Sequence, residues 1–253
     1  MADTFTQRYA LITGANKGIG FEICRQLASK GMKVILASRN EKRGIEARER
    51  LLKESRSISD DDVVFHQLDV VDPASAVAVA HFIETKFGRL DILVNNAGFT
   101  GVAIEGDISV YQECIEANII AAQSGQLQPN EWAKGVFSSE DTSLNEEKVE
   151  EVLHEFMKDF IGGKLQQNHW PPNLAAYKVS KAAVNAYTRI IARKYPSFCI
   201  NSVCPGFVRT DICYNLGVLS EAEGAEAPVK LALLPNGGPS GSFFSREEAL
   251  SLY

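Results

Sequence analysis

No apolar run in this chain approaches the roughly 20 residues that a membrane helix needs, which argues against a helical span. The N-terminal stretch from Met1 to Arg8 is short, polar and without the apolar centre of a secretory signal. The tail Ser251-Leu252-Tyr253 is not a peroxisomal address. Cysteine is sparse and odd in number: Cys24, Cys114, Cys199, Cys204 and Cys213, none in a CxxC pair. That pattern suits reduced thiols in the cytoplasm rather than a disulfide framework. The four histidines (His66, His81, His154, His169) lack metal-ligand spacing, so no metal is expected. Positive charge is also short: the formal net charge is −6, without the basic footprint of a nucleic-acid-binding protein. Repeats and low-complexity tracts are lacking as well.

What is there is ordinary for a globular protein: 253 residues, 45% hydrophobic and 23% charged, enough for one large α/β domain with a sizeable core. The first hundred residues alternate two patterns. Compact apolar runs at Tyr9–Ile12, Lys33–Ser38, Val63–Val70 and Asp91–Asn95 read as strands. Helical patterns out of the glycine-rich stretch Thr13–Gly20, over Glu41–Arg56 and over Ala74–Phe87 lie between them. Gly31 stops the first helix, whose inner face carries Ile19, Ile23 and Leu27. Near-continuous apolar strands separated by helices imply a doubly wound parallel sheet. Right-handed crossovers then bring the strand C-terminal ends to one edge, where ligands bind.

The rhythm resumes late, with a helix over Ala175–Tyr195, a strand over Cys199–Cys204, a helix over Glu221–Leu233 and a short strand over Gly241–Phe244. Between them lies one clear amphipathic helix, Asn145–Ile161. Its stripe is Val149, Val152, Leu153, Phe156 and Phe160, and Ser143-Leu144-Asn145-Glu146 fits a capping box.

Several groups carry chemistry. Thr13-Gly14-Ala15-Asn16-Lys17-Gly18-Ile19-Gly20 falls between the first strand and the first helix, where missing side chains let a backbone approach a pyrophosphate. Glycines also mark plain turns, so position is what raises the signal. The second strand ends in Ser38-Arg39-Asn40, without the carboxylate that would bind a ribose 2′-hydroxyl. Arg39 and Lys17 could be surface cations; together at these positions they favour a 2′-phosphate and hence NADP(H). Asp69-Val70 and Asn95-Asn96-Ala97-Gly98 follow the next two strands, and Pro205-Gly206-Phe207-Val208-Arg209-Thr210 follows a later one. Each could be a turn or a cleft residue. Tyr177 and Lys181, four apart, share a helix face. An ammonium near a phenol favours the phenolate and brings its pKa toward neutral working range.

In this order, TGxxxGIG (Thr13–Gly20), Asp69, NNAG (Asn95–Gly98), YxxxK (Tyr177–Lys181) and PGxVxTD (Pro205–Asp211) resemble the short-chain dehydrogenase/reductase family. The phrases GANKGIGFEIC and LDILVNNAG are similar to its carbonyl-reductase-like branch, with plant members acting on terpenoid or alkaloid ketones. The resemblance covers about 8–98 and 126–253. It implies a Rossmann-type fold and NADPH-dependent reduction of a ketone, or the reverse oxidation of an alcohol, on a small hydrophobic substrate. By resemblance Tyr177 is the proton donor, Lys181 lowers its pKa, and Asn118 supports a proton-relay water. Thr13, Gly14, Asn16, Lys17, Gly18, Ile19, Gly20, Arg39, Asp69, Val70, Asn96, Tyr177, Lys181, Val208, Arg209 and Thr210 would contact the cofactor. The branch carries a helical insert before the tyrosine, here about 126–173 within a single domain spanning 1–253, and the insert is associated with monomers.

The chain departs from the family between Asn118 and the insert. Asn118-Ile119-Ile120-Ala121-Ala122-Gln123-Ser124 is too short to finish a long helix and also supply the central strand that ends in the catalytic serine. The serine position falls on Ala122, and Ser124 is the nearest hydroxyl. Three readings stay open: a working reductase that rebuilds the strand and uses Ser124, a catalytically impaired NADPH-binding protein, or a shortened splice or gene-model form that folds poorly.

Overall fold

The computed structural model describes residues 7–98, 130–139, 143–246 and 248–250. Asn118 and Ser124 lie outside the described residues. The chain divides into two compact units, one of Met1–Phe99 with Val208–Leu233, the other of Thr100–Phe207 with Leu234–Tyr253.

The first unit is built on strands β1 (Tyr9–Ile12), β2 (Lys33–Ser38), β3 (Val63–Gln67) and β4 (Ile92–Val94), in the spatial order β3-β2-β1-β4 and all parallel. Helices α1 (Gly18–Ser29), α2 (Glu41–Glu54) and α3 (Pro73–Phe87) make the crossovers. Alternate residues of each strand face opposite sides, so the sheet feeds two cores. Ala10, Ile12, Val34 and Leu36 pack with Ile23 and Leu27 of α1 and Ala47 and Leu51 of α2. Leu11, Ile35 and Ala37 pack on the other face with Val79 and Ile83 of α3. Ile12, Ile35 and Leu36 are fully buried, each worth about 1.5–3 kcal/mol of transfer free energy. Two-sided burial is why these strands read as unbroken apolar runs.

The helix ends follow local chemistry. Asn40 caps α2 by accepting from the Arg43 amide, and Asp72 caps α3 ahead of Pro73. Lys30 ends α1 and Gly31 follows at φ +82°, a left-handed position that glycine takes without strain. Helix α7 (Glu221–Ala232) returns to this unit and packs against α1, opened by a capping box between Ser220 and Glu223.

The second unit contains α4 (Glu131–Ser138), α5 (Glu146–Ile161), α6 (Ala175–Lys194) and a three-stranded sheet. In that sheet β5 (Ser202–Cys204) lies parallel to β6 (Phe243–Ser245), which pairs antiparallel with β7 (Glu248–Leu250). Val179, Ala182, Ala183, Ala186 and Ile190 form one stripe along α6 and bury against Phe137, Val152, Phe156 and Trp170. Arg189 donates to the carbonyls of Phe137 and Ser139, and Arg193 to that of Leu144, so α6 ties down the otherwise unsatisfied end of α4. Trp170 donates its indole N–H to Asp159 (2.8 Å), which holds that carboxyl below the usual carboxylate range.

Two local expectations are corrected. The cap of α5 is Asn145, which accepts from the Lys148 amide at 2.9 Å, so the Ser143–Glu146 capping box does not form. Asn145 sits one residue before the helix and its short amide reaches the orphan donor. Phe160 leaves the buried stripe and is 54% exposed, its ring beside that of Phe156, while Phe156 one turn earlier is buried against Trp170.

Among the described residues β4 pairs only with β1, and Leu93 on it is 53% exposed.

Candidate active site

The glycine turn is held from below by β4. The Thr13 amide donates to the Val94 carbonyl at 3.0 Å. The Thr13 hydroxyl accepts from the amides of Asn96 and Ala97, both at 3.0 Å. The Asn96 side-chain amide donates back to the carbonyls of Thr13 (2.9 Å) and Gly14 (3.3 Å). Thr13 and Asn96 therefore brace the turn, so Asn96 acts on the loop through its own carboxamide. This contact joins residues 83 apart in sequence.

The glycines are required by closeness. A Cβ on Gly14 would lie 2.8 Å from the Ala97 Cα, and Gly14 has φ +63°. A Cβ on Gly20 would meet the Asn96 Nδ2 at 2.4 Å and the Gly14 carbonyl at 2.8 Å. Gly18 also sits at φ +63°, and its missing Cβ would face Thr210 Cγ2 at 3.5 Å. Helix α1 starts there, behind an extended Lys17 that makes no side-chain cap. The free amides of its first turn thus open on a glycine-rich loop, which fits a pyrophosphate.

Beside the turn is an open cleft of about 420 Å³ lined by Asn16, Lys17, Arg43, Glu46, Ala47, Arg50 and Asp211. Arg39, the cation expected to face a 2′-phosphate, is exposed on the loop after β2, where its carbonyl accepts from the Gln67 side chain. The residue lining the cleft is instead Arg43, one turn further on. The N-cap at Asn40 starts α2 immediately and carries its third residue toward Lys17. The sequence signal was available: a cation at the third position of a helix whose cap follows Arg39.

Asp69 keeps its carboxylate to itself. Its Oδ1 accepts from the Val71 amide at 3.2 Å while its own amide donates to Ser75 Oγ, a turn of the kind aspartate favours. Val70 beside it is exposed. The loop after Val208 is tightly folded. Arg209 donates its amide to the Leu219 carbonyl (2.8 Å) and its Nε to the Gly217 carbonyl (3.2 Å). Val208 and Thr210 are buried. A Cβ on Gly217 or Gly224 would strike Val208. A short 3₁₀ turn, Asp211–Cys213, follows. Asp211, which ends the PGxVxTD motif, forms an ion pair with Lys17 at 2.5 Å.

In the second unit, Tyr177 and Lys181 lie on the side of α6 away from its buried stripe, as four-residue spacing and 100° per residue require. Lys181 Nζ stands 5.4 Å from the Tyr177 ring centroid. Burial lowers the Lys181 pKa, partly offset by the nearby Cys204 of β5. Burial also raises the Cys204 thiol, while the Gly206 amide and Lys181 pull it back.

These groups have relatives. A model of the short chain dehydrogenases matches residues 8–126. (−)-Isopiperitenone reductase of Mentha piperita is 51% identical, covering 98% of this chain and 99% of the relative. The solved menthone neomenthol reductase of Mentha piperita aligns at 52% identity with a TM-score of 0.83, over 96% of this chain and all of that one. Salutaridine reductase of Papaver somniferum gives the same TM-score at 38% identity, over 94% and 99% of the two chains. The chain belongs to the short-chain dehydrogenase/reductase family. Its members are oxidoreductases of carbonyl and alcohol groups that work with a nicotinamide cofactor. The alignment to the first relative runs over 312 positions against 253 residues here, so that relative carries residues with no counterpart in this chain.

Proposed function

We propose that this chain reduces a small hydrophobic ketone with NADPH, or oxidises the corresponding alcohol with NADP⁺. The observation that carries the cofactor choice is the cleft in which Lys17 and Arg43 stand beside the glycine turn. Two cations there suit a 2′-phosphate, whose dianion and acceptor oxygens a bare ribose lacks. The glycine turn of Thr13–Gly20 would hold the pyrophosphate, with Thr210 of the neighbouring loop against Gly18.

When bound, the dinucleotide supplies or takes the hydride. Everything else falls to the chain. Tyr177 gives its phenolic proton to the carbonyl oxygen as charge develops there. Lys181, as a cation beside the ring, stabilises the phenolate left behind. Its partial burial strengthens that effect, since the surrounding dielectric is lower than water. The substrate class, a terpenoid or alkaloid ketone, rests on the relatives' names. A cytoplasmic monomer is the matching expectation for the assembly. No helix among the described residues is long and apolar enough to cross a membrane.

A second reading, an NADPH-binding protein with impaired turnover, is favoured by the short segment Asn118–Ser124, in which Ala122 stands at the expected serine position. One experiment separates the two. Melting the purified chain with NADPH at a hundred times its dissociation constant should stabilise it by about 2.7 kcal/mol, with NADH giving less. Loss of NADPH absorbance with menthone then reports turnover. Stabilisation without turnover supports the second reading. Absence of any stabilisation by NADPH overturns both.

A further inference from the structure

The Lys17–Asp211 pair is the feature that the mechanism does not use. It joins the glycine turn to the loop that begins at Val208, across 194 positions of sequence. Both side chains are largely exposed, Lys17 at 57% and Asp211 at 65%. Lys17 holds the Asp211 carboxyl below its usual range, so the carboxylate is ionised at neutral pH. Asp211 opens the 3₁₀ turn that follows Thr210, and Thr210 is the residue packed over Gly18. The carboxylate is thus delivered to the one cation of the glycine turn by the same loop that covers that turn.

We propose that Asp211 tunes cofactor affinity by occupying Lys17 as a stand-in anion that the 2′-phosphate of an incoming dinucleotide must displace. The proposal rests on the NADP(H) reading above. Three points support it. An exposed ion pair contributes little, so it exchanges readily. A phosphate monoester carries nearly two charges and three acceptor oxygens at neutral pH, against one charge on a carboxylate. Arg43 lines the same cleft, so an incoming phosphate gains a second cation that Asp211 does not hold. Both dinucleotides bring the pyrophosphate to the turn, but one with a bare 2′-hydroxyl lacks the monoester dianion that replaces the carboxylate at Lys17. It leaves the pair intact and meets a neutralised cation. Asp211 therefore acts as a toll on the phosphate-bearing ligand that is levied through Lys17.

The test is a binding cycle on the full chain, read by intrinsic fluorescence or calorimetry without turnover. Kd values for NADPH and NADH are measured for the parent, Asp211→Asn, Lys17→Ala and the double variant at low salt. Asp211→Asn should bind NADPH about two- to fivefold more tightly, with NADH changed less than about 1.5-fold, the size expected of one exposed charge contact. In the Lys17→Ala background the same substitution should change NADPH binding by less than about 1.5-fold, since the route through Lys17 is gone. NADPH binding that is unchanged or weaker in Asp211→Asn overturns the proposal while leaving the NADP(H) reading intact. So does a gain that persists without Lys17 or that extends equally to NADH, because that is general charge removal. Equal affinity of the parent for NADPH and NADH removes the underlying reading, and the proposal with it.

Discussion

The glycine turn after β1 and the Tyr177–Lys181 face of α6 are both parts of one expected chemistry, yet they are built by opposite means. The turn is over-determined: Thr13, Gly14, Gly20, Asn96 and Ala97 interlock through hydrogen bonds and through the volume that a Cβ would need. The face on α6 is set by helix period, with a buried stripe on one side and the Tyr177–Lys181 pair on the other. A binding cradle must fit a ligand along its whole backbone. A proton donor has to place only one oxygen.

That contrast can be broken experimentally. Tyr177→Phe should show the largest effect, confined to chemistry. Turnover with menthone should fall by about 10²–10⁴-fold, the range for losing a general acid. NADPH binding and melting temperature should stay unchanged, and retained turnover would remove Tyr177 from its role. Gly20→Ala should do the reverse and strike the fold. Its Cβ must displace an Asn96 amide already committed to two carbonyls, costing about 1–3 kcal/mol by overpacking. A denaturant midpoint that does not move would show that the turn has slack. Next comes charge. Arg43→Glu should weaken NADPH binding about tenfold or more relative to NADH, and more than Arg39→Glu does, since Arg43 lines the cleft. The opposite ranking would return the phosphate contact to Arg39.

The smallest effect concerns pH. The folded Asp211 carboxyl titrates below its unfolded value because Lys17 is beside it. It therefore adds stability above the unfolded pKa, near 3.9, that is lost as pH falls through the folded value. The pair is exposed, so Asp211→Asn should flatten the acid limb of a stability profile by no more than about 1 kcal/mol. A larger change would mean that the pair anchors the loop after Val208.

Particular residues show what could be read in advance. Strands β1 and β2 are legible because burial on both faces leaves unbroken apolar runs. The start of α1 was legible because only glycine tolerates the approach of Ala97 and Asn96. The sequence pattern points to Ser143 as the cap of α5 and the structure uses Asn145, since both residue types cap helices and only two residues of register separate them. Phe160 fits the periodic stripe, but whether a partner helix reaches that far is not a local property.

By itself the sequence determined the alternation of strand and helix, the turn after β1 and the four-residue spacing of Tyr177 and Lys181. These follow from preferences expressed within a few residues: side-chain period, glycine at positive φ, and short polar caps. Only the tertiary structure decided that Asn96 braces the glycine turn, that Arg43 rather than Arg39 lines the cleft, and that Asp211 takes hold of Lys17. Those contacts join residues tens to hundreds of positions apart, and no local preference encodes which of several equivalent charges will meet once the crossovers are packed.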